Sequence, residues 1–138
     1  MNSIVDLMYG NDLFSQWLGI RRLEERPGHC ILEMTVLPEM VNGFGVAHGA
    51  ITYALADSAL AFASNSHGRK AVSIETSINH IKTVLAGDIL KAVTEEVSLS
   101  HKIGIYQIRI LRDDELVAQF KGVVFRKQEE WIIEDPSG

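Results

Sequence analysis

Asp57 is the residue least at home in its surroundings. It lies within 47–66, a stretch rich in Ala and Leu and apolar nearly all round. That pattern predicts a long helix buried on most sides. The residues three and four positions away are Tyr53, Ala54, Leu60 and Ala61, none of them cationic. No ion pair along the helix compensates the carboxylate, and an unpartnered buried carboxylate is costly. Two readings remain. The group is solvated at a crevice or bound to a distant backbone amide, or it is a catalytic carboxylate in a desolvated pocket, acting as base or nucleophile.

A second feature feeds the same helix. Asn42-Gly43-Phe44-Gly45-Val46-Ala47-His48-Gly49-Ala50 is a glycine-bearing loop that runs into its start. Helix N-termini present free N–H groups and the positive end of the dipole, and Gly49 lets a ligand approach the backbone closely. Together they fit an oxyanion site for a tetrahedral intermediate. An ordinary glycine-rich entry loop, with His48 as a helix-start residue, explains the same residues equally well. His48 and Asp57 are nine residues apart. At about 100° and 1.5 Å per residue, they fall on opposite helix faces roughly 14 Å apart along the axis. One copy of the helix cannot bring both to one reacting carbon. If both act, two copies must share each site across a two-fold axis.

The rest of the chain supplies the frame. Its 138 residues make about one domain, long enough for a core without disulfide or metal staples. The formal charge is −5 and no basic run exceeds two residues, which disfavours a nucleic-acid surface. Cys30 is the single cysteine, so no disulfide framework or multi-cysteine metal site is available, and its alternation with Leu32 and Met34 makes it a core residue. The histidines at 29, 48, 67, 80 and 101 have no metal-ligand spacing. There is no Gly-x-Ser-x-Gly elbow and no phosphate loop. The least charged stretch, 41–68, is too rich in Gly, Ala and Ser for a membrane span, and the first residues lack a basic secretory start. A cytoplasmic single domain over 1–138 is expected.

Short helices are predicted over about 2–18 and a strand over 29–37, with Cys30, Leu32, Met34 and Val36 on its buried face. A loop over 38–45 and the long helix follow, the helix stopping at Gly68. Strands are then predicted over 71–82, 89–99, 103–112 and 116–127, paired as an antiparallel meander. On the first of these, Val72, Ile74, Ile78 and His80 are expected to share a face. The polar tail 128–138 is expected to be loosely held. One helix cannot bury itself, so the simplest architecture is an α+β fold in which one antiparallel sheet wraps around it.

At these residues the sequence resembles the hotdog-fold acyl-CoA thioesterases, in particular the phenylacetate-pathway (PaaI-like) branch. The likeness is carried by Asn42, His48-Gly49-Ala50 and Ala56-Asp57-Ser58-Ala59, with support from Val72-Ser73-Ile74-Glu75 and 93–99. It spans roughly 14–126. The resemblance implies a dimer, often paired again into a tetramer, with the active site at the subunit boundary and no cofactor or metal. It also implies roles: Asp57 as the acidic catalyst and Gly49 as backbone donor to the thioester carbonyl. Asn42 orients the thioester or the water, His48 supports it, and the Ser73 hydroxyl helps place the water. Many relatives have a second glycine where this chain has Ala50, which implies a tighter acyl end. The phosphates of coenzyme A call for local positive charge. Lys82, His101, Lys102 and Arg126 (with Lys127 beside it) are the candidates, and the family often has basic residues at the turn that His101 and Lys102 occupy. Short or aryl-acetyl groups are the implied acyl class. Phe14, Trp17, Phe44, Tyr53 and Phe62 are available for an aromatic wall or for the core. The rivals are a non-catalytic acyl-CoA sensor, which has no need of Asp57, and a hydratase or dehydratase, which needs a differently placed His and acidic pair.

Overall fold

The computed structural model describes residues 1–134. Two short helices open the chain, α1 (Ser3–Asn11) and α2 (Leu13–Trp17). Each is capped as its sequence dictates. Asn2 Oδ1 accepts from the amides of Ile4 and Val5, and Asp12 Oδ1 accepts from that of Ser15. A hairpin follows, β1 (Arg21–Arg26) and β2 (His29–Thr35). Then come a single 3-10 turn (Pro38–Met40), the long helix α3 (Gly49–Asn65) and four strands. These are β3 (Arg69–His80), β4 (Ile89–Leu99), β5 (Ile103–Arg112) and β6 (Glu115–Glu130).

The six strands form one antiparallel sheet in the order β1-β2-β4-β5-β6-β3. It curls about α3, which touches β2 through β6. Leu55, Ala56, Ala59, Leu60, Phe62 and Ala63 of the helix are fully buried against Leu32, Met34, Leu90, Ile108, Ile110 and Phe120 of the sheet. α1 and α2 cover another side, with Tyr9 edge-on to Phe62 and Ser15 Oγ 2.8 Å from Ser58 Oγ.

Four sequence expectations change. The meander holds only for β4-β5-β6. β3 lies at the far edge beside β6, and the segment 81–88 carries the chain across the start of α3 to β4. That segment is tied down along the way, with the Ala47 amide donating to Val84 O at 2.8 Å and the Gly87 amide to Val36 O at 2.7 Å. On β3 the shared face is split by a bulge between Ser73 and Glu75. Opposed residues of an antiparallel pair share a face, and Ser73 opposes buried Val124 while Thr76 and Ile78 oppose Gly122 and Phe120. Ser73, Thr76, Ile78 and His80 therefore face inward, and Val72 opposes Phe125 on the outer face. The helix starts at Gly49, because Ala47 bridges to Val41 and His48 is the cap. Finally, the tail is held at its beginning: β6 runs to Glu130, the Trp131 amide donates to Gly68 O, and its indole donates to Asn65 Oδ1 at 2.9 Å. Residues 135–138 of that tail lie outside the described residues. The strand β1 has no clean alternation, and the sequence does not locate it.

Gly122 sets how closely the sheet approaches the helix. A Cβ added there would fall 2.5 Å from Leu60 Cδ2. Gly122→Ala is expected to destabilise the protein by about 1–3 kcal/mol through overpacking. Chemical denaturation checks this; an unchanged midpoint means the sheet can move away freely.

Candidate active site

α3 is enclosed except along one stripe. Ala50, Ala54, Asp57 and Ala61 recur at helical spacing; Ala50 is exposed and the other three are half-buried, while the residues between them are buried or packed on the core. Asp57 is the only charged side chain on the helix. It has no hydrogen-bond partner among the described residues. The nearest acidic group to act on it is Asp12, the cap of α2, whose Oδ2 accepts from Ser15 Oγ at 2.6 Å. Ser15 in turn meets Ser58, the residue after Asp57. Burial, and then the negative charge of Asp12, push the Asp57 carboxyl above its ordinary value.

The start of α3 is built differently. Three of its amides are accounted for: His48 N donates to Met40 O, Ala50 N to His48 Nδ1 at 3.0 Å, and Ile51 N to His48 O. The Gly49 amide has no partner among the described residues. The His48 cap fixes Nδ1 as the acceptor and leaves Nε2 free to carry the proton. Asn42 shapes the loop: its Oδ1 accepts from the amides of Phe44 at 2.9 Å and Val46 at 3.4 Å. Its side-chain NH2 group has no partner among the described residues. Asn42 and His48 make no hydrogen bond to each other; each serves the backbone nearest to it.

A cleft of about 280 Å3 opens beside this helix start, lined by Gly49, Thr52, His80 and Lys82 together with the crossing segment. Ser73 lies on the inward side of β3, between Thr76, whose hydroxyl meets Tyr53 Oη, and Ala71, whose amide donates to Asn65 Oδ1. It is exposed and sits alongside the helix rather than bonded to Asp57.

The basic candidates divide between two ends of the sheet. Lys82 stands in the cleft at the start of α3. His101, Lys102 and Arg126 cluster at the β4–β5 turn, joined by Arg69, which the sequence reading did not single out. Arg69 Nη1 lies 3.5 Å from His101 Nδ1, and Arg126 Nη1 donates to Ser100 O at 2.7 Å. The signal for Arg69 was its place just after Gly68, at the head of an edge strand. The twelve residues of β3 separate the two groups, a span of roughly 36–40 Å. Of the candidate aromatic wall, Phe62 is core and Tyr53 packs on Phe120 at 5.3 Å; Phe14 and Trp17 stack at 5.9 Å on the exposed side of α2, and Phe44 is exposed.

Within one chain, then, Asp57 and the free Gly49 amide do not meet. Eight residues of helix separate them, about 12 Å of rise. Among the described residues no cluster of three His, Cys, Asp or Glu is placed to hold a metal ion, and no helix is long and apolar enough to cross a membrane. Cys30 is buried and its thiol is pushed up to about 12, so it is no nucleophile.

Residues 44–119, which hold the helix start, Asp57 and all of β3 to β5, match the thioesterase superfamily. The chain belongs to that superfamily. A curated protein of Archaeoglobus fulgidus is 40% identical over 93% of this chain and 84% of its own. The Escherichia coli acyl-coenzyme A thioesterase PaaI is 35% identical over 83% of each. The solved structure of E. coli PaaI, from the phenylacetic acid degradation operon, covers 91% of this chain and 92% of its own with a TM-score of 0.89. A mutant of the Thermus thermophilus phenylacetic acid degradation protein PaaI matches at 36% identity and TM-score 0.82, over 84% of this chain and all of its own. The sheet wrapped around α3 is the hotdog fold, and the protein is a thioester hydrolase.

If Asp57 is the base or nucleophile, its raised proton affinity sets the acid limb of the activity. A carboxyl held above its ordinary value keeps its proton to higher pH, so a role as base or nucleophile fails earlier on acidification. Asp12→Asn removes one cause of the elevation and is expected to move the acid limb of kcat/KM to lower pH; an unmoved limb would show that Asp12 does not act on Asp57. The same elevation makes the folded state bind more protons than the unfolded one, so Asp57 costs stability as pH rises through its titration. Asp57→Asn is expected to raise the melting midpoint at neutral pH while lowering activity, and calorimetry checks the first half.

Proposed function

We propose that the protein hydrolyses acyl-CoA thioesters, short-chain or aryl-acetyl ones of the phenylacetyl kind, to the free acid and coenzyme A. The observation that carries this reading is the unpartnered Asp57 carboxyl on the uncovered stripe of α3. An idle carboxylate there is a standing cost, and a second copy laid against the stripe would give it a task. The name of the E. coli relative, an acyl-coenzyme A thioesterase, supports the substrate class. The operon named for its structure favours phenylacetate breakdown as the setting, and the cytoplasm is the compartment proposed for it.

The proposed site is shared by two subunits. The thioester carbonyl oxygen accepts from the free Gly49 amide of one subunit, where the helix dipole adds positive potential. Asp57 of the partner subunit stands across from it, as general base toward water or as the attacking nucleophile. The uncommitted NH2 of Asn42 orients the thioester or the water. The Nε2–H of His48 supports it, and Ser73 helps place the water. The water's proton passes to the carboxylate, the new C–O bond forms, and the C–S bond breaks as coenzyme A leaves. Antiparallel pairing of β3 with its copy would set the Arg69 end of one strand against the His80 end of the other. Lys82 of one subunit and His101, Lys102 and Arg126 of the other then converge on the coenzyme A phosphates. A dimer of such dimers is the expected assembly.

Asp57→Asn is expected to lower kcat by about 10²–10⁴-fold, the usual worth of a positioned base, with KM little changed. Thiol release from a panel of aryl- and alkyl-acyl-CoA esters checks it, and near-wild-type turnover would sink the assignment. Single turnover in ¹⁸O-water tests the nucleophilic role: unlabelled acid on the first cycle requires an acyl–Asp57 anhydride opened by water at the Asp carboxyl carbon, whereas labelled acid fits the base role or water attack at the acyl carbon. Lys102→Glu is expected to raise KM with kcat nearly unchanged; an unaltered KM removes Lys102 from the nucleotide site. A fully active monomer in sedimentation would exclude the shared site.

A further inference from the structure

Gly49 is not among the residues with positive φ, so its backbone does not require glycine. Space does. A Cβ at Gly49 would lie 3.1 Å from His80 Nε2 and 3.3 Å from His80 Cε1. The imidazole of β3 closes over the helix start, and the two residues line one cleft. The ring has no hydrogen-bond partner among the described residues, whereas His48 is bound to Ala50, His29 to Glu24 and His67 to Glu96. It reaches this place through the bulge at Ser73, which turns the even positions of β3 inward from Thr76 onward. An uncommitted imidazole nitrogen therefore lies 3.1 Å from the Cβ position of Gly49, whose own amide has no partner among the described residues, and both residues line a cavity of about 280 Å3.

We propose that His80 is a second hydrogen-bond donor to the thioester carbonyl oxygen, acting with the Gly49 amide of the same subunit. This rests on the reading of Gly49 given above and extends it to a side chain. Two donors converging on one oxygen suit a tetrahedral oxyanion better than a planar carbonyl, so the gain falls on the transition state. The role needs only an N–H, which the ring offers in its Nε2-protonated neutral form or as the imidazolium. No covalent step passes through His80.

Two substitutions separate donation from packing. His80→Phe keeps a ring over Gly49 and has no donor; His80→Gln keeps an N–H at similar reach and has no ring. With an acyl-CoA ester that the wild type turns over, His80→Phe is expected to lower kcat by about 10²-fold, the lower end for loss of one oxyanion donor, with KM within a few-fold. His80→Gln is expected to retain clearly more kcat than His80→Phe. Wild-type kcat in His80→Phe, or His80→Gln falling to or below it, overturns the proposal and makes His80 a packing residue. If His80→Phe does not fold, His80→Leu, also without a donor, takes its place in the comparison. An active wild type silenced by Asp57→Asn but untouched by His80→Phe refutes this inference alone. A wild type inert on every acyl-CoA ester overturns the proposed function and this inference with it.

Discussion

A six-stranded sheet closing on one helix leaves that helix a single open stripe, and the proposed chemistry depends on what lies there. Most of α3 is committed to the core through Leu55, Ala59, Leu60 and Phe62, and α1 and α2 seal a further side. The remaining stripe is three alanines and Asp57. Small residues keep the helix surface low, so another surface can come close. The carboxylate is then the one feature on it that a neighbouring surface must answer. Desolvation raises the proton affinity of such a group, and the Asp12 cap raises it further. The fold thus carries a destabilised charge at one defined place, as functional sites commonly do.

The start of the same helix carries the opposite kind of imbalance. His48 satisfies the amide of Ala50 with its ring and that of Ile51 with its carbonyl. The Gly49 amide is passed over, although a cap could have been arranged to include it. The sequence offered close approach of a ligand as the reason for glycine there; the structure adds a second, the imidazole above it, which a side chain would crowd. An unsatisfied donor at the positive end of a helix and an unsatisfied acceptor midway along it are complementary, yet rigidly held apart within one chain.

Much of this was legible in the sequence because it rests on local rules. β4 and β5 have the predicted bounds, since turn residues such as Gly87-Asp88 and Asp113-Asp114 punctuate them. Asp57 was conspicuous because an acidic residue contradicts its own neighbourhood, and that contradiction needs no tertiary information. What escaped was whatever depends on pairing. The place of β3 at the far edge is set by the passage of 81–88 over the helix start, which the brevity of that connection concealed. A bulge of one residue reversed the facing of Val72 relative to Ile78 and His80, and with a period of two nothing in the alternation announces such a slip. β1, with the sequence Arg-Arg-Leu-Glu-Glu-Arg, lacks alternation because it is an edge whose side chains mostly face water, and its charges keep that edge from pairing further.

The candidate site shows the same division. Gly49 and Asp57 could be named from local features, a glycine at a helix entry and a carboxylate in an apolar helix, and the structure holds them apart along α3. Arg69 and His80 could not, because each acquires its neighbours only when β3 is laid beside β6 and against α3. Their positions at opposite ends of one edge strand constrain any assembly. A parallel arrangement of two β3 edges would put the two Arg69 ends together, concentrating like charge and leaving each Gly49 amide far from the opposing basic cluster. In the proposed dimer, a two-fold axis across the strand would reverse one copy, separate those ends, and face each glycine amide with the other copy's positive turn. The same reversal would run the two α3 stripes antiparallel, the sense that would carry Asp57 toward the opposing helix start. Electrostatics and the direction of the chain thus favour the orientation on which the proposed shared site depends, the one in which both unsatisfied groups would find a common substrate.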